Sequence, residues 1–132
     1  IIVKINVSKP NHMDNYYPKF YIGIECPMIG IDNPDGDINL CVQDNCSSGD
    51  LLIYEQLESL NFSEVTLFVN NQKKHFGLMG NLRFSMDEII KQTFNIIKQN
   101  NFPLDENLWI ATGGISDVFA LTKDDKLEFC YA

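Results

Sequence analysis

One segment of the chain constrains the fold more than any other, because it carries signals for both ends of a helix. Ser85 and Glu88 form the S-x-x-E pattern of a capping box, which satisfies backbone amides at a helix start. Asn100-Asn101 and Pro103 are typical of a helix end. Between these signals, one arc of the helical wheel holds Met86, Ile89, Ile90, Thr93, Phe94, Ile96 and Ile97. The pattern predicts a helix over 86–100 that covers a core with one face.

Short runs rich in β-branched and aromatic residues predict strands on both sides of this helix. These runs are residues 1–7, 19–25, 38–43, 64–70, 74–84, 107–112, 117–122 and 127–131. Asn70-Asn71 lies between two of them and predicts a hairpin turn. A second helix is expected at about 48–60, because Asp50 fits a capping pattern and Ile53, Leu57 and Leu60 share one helical face.

The order of these elements predicts the fold class. Short connections favour antiparallel neighbours, and helices pack on one face of such a sheet. We therefore expect an α+β fold with a mostly antiparallel sheet of about six to eight strands, covered by helices at about 48–60 and 86–100. The 132 residues fit a single domain over 1–132. Because neither a membrane-spanning run nor a secretory signal is visible, a cytoplasmic protein without membrane partners is expected.

Charge is distributed unevenly along the chain. The 18 acidic and 10 basic residues give a formal net charge of −8. Half of the acids lie within residues 20–72, where no Lys, Arg or His occurs, so the remainder of the chain is close to neutral. Such a stretch repels nucleic acid and anionic membranes, but it attracts basic proteins and accelerates their encounter. The alternative interpretation is a solubilising surface without a specific partner.

Local motifs give no metal or cofactor site. Residues 31–38 are similar to a calcium loop, with Gly36 at the sharp turn. When the loop is aligned on Gly36, Ile31 and Val42 occupy the positions where an EF-hand needs an acid and a bidentate Glu. A plain turn is therefore expected. Cys41 and Cys46 have no second Cys or His pair at zinc-ligand spacing, so no metal and no cofactor are predicted.

Catalysis by a cysteine remains an open alternative. Cys26 or Cys46 could in principle act with His75, although nothing in their spacing favours such a set. The chain is therefore not expected to be an enzyme. A small enzyme or ligand-binding domain with a Cys/His-containing pocket stays as one alternative. A structural or adaptor domain without catalysis is the other, and the oligomeric state is left open.

The small size, the acidity and the base-free stretch from Phe20 to Gln72 together resemble the immunity proteins of bacterial toxin systems, such as contact-dependent growth inhibition. The resemblance covers the whole chain as a profile and includes no family motif. It implies a cytoplasmic antitoxin that binds its cognate toxin domain. Such toxins are often basic nucleases, and the inhibitor blocks their active site or substrate surface.

An inhibitor of this kind would place its carboxylates where substrate phosphates otherwise bind. The charge distribution makes the acids of residues 32–58 the expected contacts, with nearby apolar side chains as anchors. The expected acidic contacts are Asp32, Asp35, Asp37, Asp44, Asp50, Glu55 and Glu58. The expected apolar anchors are Leu51, Tyr16 and Tyr17.

Overall fold

The computed structural model describes residues 1–7, 16–27, 30–32, 35–43, 49–103 and 107–132. Within these ranges the elements are β1 Ile2–Val7, β2 Tyr16–Cys26, α1 Ile38–Gln43, β3 Asp50–Leu57, β4 Glu64–Val69, β5 Gln72–Leu78, α2 Met86–Gln99, β6 Asn107–Ala111 and β7 Leu127–Tyr131. The expected α+β class is confirmed. In the part of the chain so described, no helix has both the length and the apolar character needed to cross a bilayer.

The strands form two antiparallel sheets, where the sequence predicted one. The four-stranded sheet has the order β3-β2-β1-β6, and the three-stranded sheet has the order β5-β4-β7. β1 is central in the first sheet, since Ile2 lies opposite both Tyr21 of β2 and Ala111 of β6. In the second sheet β4 and β5 form the predicted hairpin, in which Asn70 and Asn71 adopt positive φ angles of 52° and 64°.

The helix at 86–100 is confirmed as α2, and its capping box is present. Ser85 Oγ accepts a hydrogen bond from the Glu88 backbone N–H at 3.3 Å, and the Glu88 carboxylate accepts one from the Ser85 N–H at 2.9 Å. Ile90 and Phe94 of α2 are buried against Val3 and Ile5 of β1. The helix thus covers one half of the face of the four-stranded sheet that carries Val3 and Ile5, which we call the inner face.

The prediction of a second helix at about 48–60 is wrong, because this segment forms the strand β3. Its residues from Asp50 to Leu57 pair with β2 from Cys26 back to Phe20. Four consecutive apolar residues, 51–54, carry no periodicity that separates a strand from a helix. Pairing along β2 satisfies the backbone and buries Leu57, and this tertiary context outweighs the local helical spacing.

Two segments predicted as strands are not strands. Residues 38–43 form the short helix α1. Asp37 precedes this helix, and its Oδ1 accepts a hydrogen bond from the Asn39 N–H at 2.7 Å. This bond satisfies an amide at the helix start and favours the helical turn. Residues 117–122 also lack strand structure. They belong to an irregular segment between β6 and β7, whose part from 112 to 121 we call the strap.

The second half of the inner face packs against the three-stranded sheet. A second buried cluster lies between the two sheets. It consists of Ile1, which precedes β1, Ile22 of β2, Leu57 of β3 and Val65 of β4. Phe129 of β7 and Ile115 of the strap pack against the same cluster. Two sheets and one long helix therefore share a core, and the strap lies at its margin.

Candidate functional site

β3 forms one edge of the four-stranded sheet. No other strand in the described ranges pairs with its outer side. Leu52 and Ile53 of this strand are 48% and 41% exposed, which is high for large apolar side chains in a sheet. An edge strand presents unpaired backbone N–H and C=O groups, so it is a template on which another chain can add a strand.

Three of the expected contact acids lie on this edge. Asp50 is the first residue of β3 and Glu58 follows its last residue, and both side chains are exposed. Glu55 lies within the strand opposite Ile22 and is half-buried. We call residues 50–58 the acidic edge, because they carry three carboxylates and no basic side chain.

The other expected acids belong to the connection between β2 and β3. Asp32, Asp35 and Asp37 are exposed there, and Asp37 caps α1 through its carboxylate. Asp44 lies outside the described residues. Within the described residues, no three His, Cys, Asp or Glu side chains come together in a way that could hold a metal ion. Asp32, Asp35 and Asp37 are thus solvent-exposed side chains on the approach to β3.

The three expected apolar anchors have different environments. Tyr16 is half-buried, and its ring lies 5.2 Å from the ring of Phe94, so it contributes to the core. Tyr17, the next residue of β2, is 74% exposed. Leu51 is half-buried and lines a cavity. Only Tyr17 among these three is a largely exposed aromatic, as an anchor for a partner requires.

The cavity has a volume of about 650 Å³ and is bounded by both sheets and by the strap. Its walls are mainly apolar and include Ile22 of β2, Leu67 of β4 and Phe129 of β7. The strap contributes Ile115 and the residues from Ser116 to Leu121. A cavity of this size and character suits a small molecule.

Cys26 and His75, which sequence reasoning named as a conceivable pair, both line this cavity. The His75 imidazole stacks on the Phe119 ring with centroids 3.9 Å apart and planes 19° apart. Among the described residues, no hydrogen bond joins this imidazole to the Cys26 thiol. Cys26 and His75 therefore line the same cavity without the hydrogen bond that joins a nucleophile to its base in the described structure.

Sequence reasoning missed the strap and the exposed pair Leu52 and Ile53. Ile115 is held beside β5, because its carbonyl accepts hydrogen bonds from the Leu78 N–H at 3.1 Å and from Asn81 Nδ2 at 3.0 Å. Gly77 permits this approach, since a Cβ there would lie 2.9 Å from Ile115 Cγ1. Gly113-Gly114 was the available signal, because two glycines after a strand indicate an irregular path.

The outer face of the four-stranded sheet, opposite the helix, carries an aromatic and basic cluster. Trp109 of β6 is 37% exposed, and its ring lies 5.3 Å from that of Tyr21. The Lys4 ammonium lies 5.0 Å from the Trp109 ring, within the range of a cation–π interaction. The four-stranded sheet therefore has an edge with acidic side chains and an outer face with aromatic and basic side chains.

Comparisons of the chain with protein-family models, with curated proteins and with solved structures found no match. The functional interpretation therefore depends on the chain's own surfaces. These are the acidic edge, the cavity and the outer face of the four-stranded sheet.

Proposed function

We propose that the chain is an inhibitor of the immunity type, which binds a basic partner protein, such as a nuclease toxin domain, along the acidic edge. One observation supports this proposal above the others. β3 combines three features: an edge with which no described strand pairs, exposed Leu52 and Ile53, and the carboxylates of Asp50, Glu55 and Glu58. These features are those of a strand that accepts another chain with complementary positive charge.

The mechanism of binding follows from strand geometry. An extended segment of the partner adds to β3 through main-chain hydrogen bonds, while alternate side chains set the specificity. Leu52 and Ile53 supply apolar contact at the centre of the edge. Asp50 and Glu58 flank them and pair with Lys or Arg side chains that would otherwise hold substrate phosphates. The partner's substrate surface is then covered and its positive charge neutralised.

The base-free stretch also affects the rate of association. Residues 20–72 supply the C-terminal part of β2 and all of α1, β3 and β4, and none of these residues is basic. Charge of one sign steers a basic partner toward the edge and raises the association rate constant at low salt. An inhibitor of a nuclease acts in the cytoplasm, where the enzyme meets its substrate.

The test uses the polypeptides encoded on either side of this chain's gene. Each is expressed in a bacterial host with and without the chain, and cell survival is measured. We expect one neighbour to be toxic alone and harmless when the chain is present. Binding of the purified pair should weaken as salt concentration rises.

A charge-reversal pair locates the interface. Asp50→Lys together with Glu58→Lys should weaken the complex by roughly 30-fold or more, because each reversal puts a positive charge against the basic partner, and placing like charges together costs several kcal/mol. Asp124→Lys with Glu128→Lys is the matched control, since both residues are exposed and the change in net charge is the same. If neither neighbour is toxic, or if both double variants protect equally well, the proposal is rejected.

A further inference from the structure

We propose that the cavity bounded by both sheets and the strap is a binding site for a small hydrophobic amine. The ligand has an apolar body and a positively charged nitrogen at one end. The apolar body lies against Ile22, Leu67 and Phe129, and the nitrogen lies near the carboxylates of Glu25 and Asp117. The site adjoins the acidic edge, because Leu51 of that edge lines the cavity, but the proposal does not depend on the proposed inhibitor function.

The walls determine the apolar part of the ligand. The cavity of about 650 Å³ falls within the range of pockets that bind small molecules. Val65 and Leu67 form its floor from the three-stranded sheet, and both are buried residues of the core. An apolar body placed there removes its own surface and that of the walls from water, which favours binding in proportion to the apolar area buried.

The charges at the cavity determine the other end of the ligand. Glu25 and Asp117 line the cavity and their side chains are exposed, so they lie on its solvent side. No Lys or Arg is found among the described residues that line it. An anionic head group would meet two carboxylates without a Lys or Arg from the described lining, whereas an ammonium group gains two charge-assisted partners.

The aromatic side chains that line the cavity are consistent with this preference. The face of the Phe119 ring attracts a cation, as aromatic faces generally do. His75 stacks on this ring and orients it.

The strap provides a way into the site. Its Ile115 end is hydrogen-bonded to Leu78 and Asn81, so this end is fixed. Val118, further along the strap, is 91% exposed and contributes little packing. A ligand can therefore enter beside the second part of the strap without disturbing either sheet.

The experiment compares ligands with one chain length and different head groups. Isothermal titration calorimetry is performed with decylamine, decanol and decanoate, each below its aggregation concentration. We expect decylamine to bind at least tenfold more tightly than decanoate, with decanol between them. Equal affinity for decylamine and decanoate, or no measurable binding of any of the three, would overturn the proposal.

Variants separate a specific site from general attraction to an acidic protein. Glu25→Gln with Asp117→Asn should weaken decylamine binding at least tenfold and leave decanol binding unchanged. Asp124→Asn with Glu128→Gln changes the net charge equally at exposed positions outside the cavity lining, and it should leave both affinities unchanged. If the two double variants weaken decylamine binding equally, attraction is non-specific and the site is rejected. Circular dichroism of each variant checks that it is folded.

Discussion

The two halves of the inner face of the four-stranded sheet are closed in different ways. Under α2, Val3 and Ile5 meet Ile90 and Phe94 in a continuous buried cluster. In the other half, Ile22 and its neighbours face the three-stranded sheet and the strap, and a cavity of about 650 Å³ remains. The helix α2 packs on the sheet with a continuous apolar face. The strap has no regular secondary structure and therefore presents no such face.

This difference shows that apolar side chains in one small domain can serve two purposes. Those under α2 stabilise the fold, because each is surrounded by other side chains and excludes water. Those at the cavity have free space on one side and lose dispersion contacts there. We expect substitutions in the first half to affect mainly stability, and substitutions in the second half to affect mainly ligand binding.

The sharpest test of the comparison removes one phenylalanine from each half. Phe94→Ala should lower the free energy of unfolding by about 3–5 kcal/mol, because a buried ring leaves a cavity in packed surroundings. Phe119→Ala should cost only about 1 kcal/mol, since its ring is half-buried and already borders open space. Urea denaturation followed by circular dichroism measures both. Equal losses would mean that the two halves are packed alike.

A second test adds a methyl group at glycines on the cavity side. At Gly23 a Cβ would contact Ile2 Cδ1 and lie 2.5 Å from the Leu52 carbonyl oxygen, so the β3 backbone must move. We expect Gly23→Ala to cost about 1–3 kcal/mol, the usual range for overpacking. Gly77→Ala should cost less, because the atoms nearest to its Cβ belong to the Ile115 side chain, which can change its rotamer while the strap backbone stays in place.

Gly80→Ala is the matched control for both glycine variants. Nothing lies within 4 Å of a Cβ at Gly80, so its free energy of unfolding should be almost unchanged. Thermal unfolding of the three variants ranks them. A Gly77→Ala variant that is as unstable as Gly23→Ala would show that the strap is as rigid as a strand.

The smallest expected effect concerns the start of α2. Ser85→Ala should lower the free energy of unfolding by about 1 kcal/mol, because the Glu88 N–H loses its capping oxygen. Ser116→Ala on the strap is the control and should have little effect, since its exposed hydroxyl donates to the carbonyl of the neighbouring residue, Asp117. A strap variant that matches the cap variant would contradict the distinction between the two halves.

The same cap has a pH signature. Hydrogen bonds from the Ser85 side chain and backbone N–H lower the pKa of Glu88 below its ordinary value. Its contribution to stability is therefore present above the ordinary carboxyl pKa and is lost as pH falls through the lowered folded-state pKa. An NMR titration should find a raised Glu88 pKa in Ser85→Ala, and an unchanged value would exclude the hydroxyl as the cause.

The sequence was sufficient to predict α2 because independent signals agreed. Ser85 and Glu88 mark its start, one arc carries its apolar residues, and its end coincides with Asn100-Asn101, where Asn101 has a positive φ of 53°. The strands at both ends of the chain were also predicted. Local pattern and tertiary contacts act in the same direction in these segments, so nothing overrides the pattern.

The region from 38 to 60 was predicted in the reverse order of helix and strand. Residues 38–43 have β-branched and apolar character, but Asp37 caps them into a helix. Residues 50–57 have a helical spacing, but β2 provides a long partner strand. Whether residues 50–57 form a helix or a strand depends on pairing with β2, about thirty residues earlier in the chain. Local periodicity carries no information about such a distant partner.

The candidate sites were predictable to different degrees. The acids of the edge were evident from the absence of bases over residues 20–72, whereas the edge position of β3 required the strand order. Of the cavity, the sequence indicated only Cys26 and His75, which it named as a conceivable pair and which both line it. Its lining comes from many separate segments, and it exists because the strap does not pack as a helix or strand would.

The central position of β1 also governs the order in which the molecule can fold. Its partner β6 lies near the other end of the chain, and the Thr112 hydroxyl donates to the Ile1 carbonyl across 111 positions. Closing so long a loop is entropically costly, whereas the β4–β5 hairpin and α2 need only local contacts. The four-stranded sheet is therefore completed late. Until β6 arrives, Val3 and Ile5 lie on an open strand, and the unfinished chain is at its most prone to aggregate.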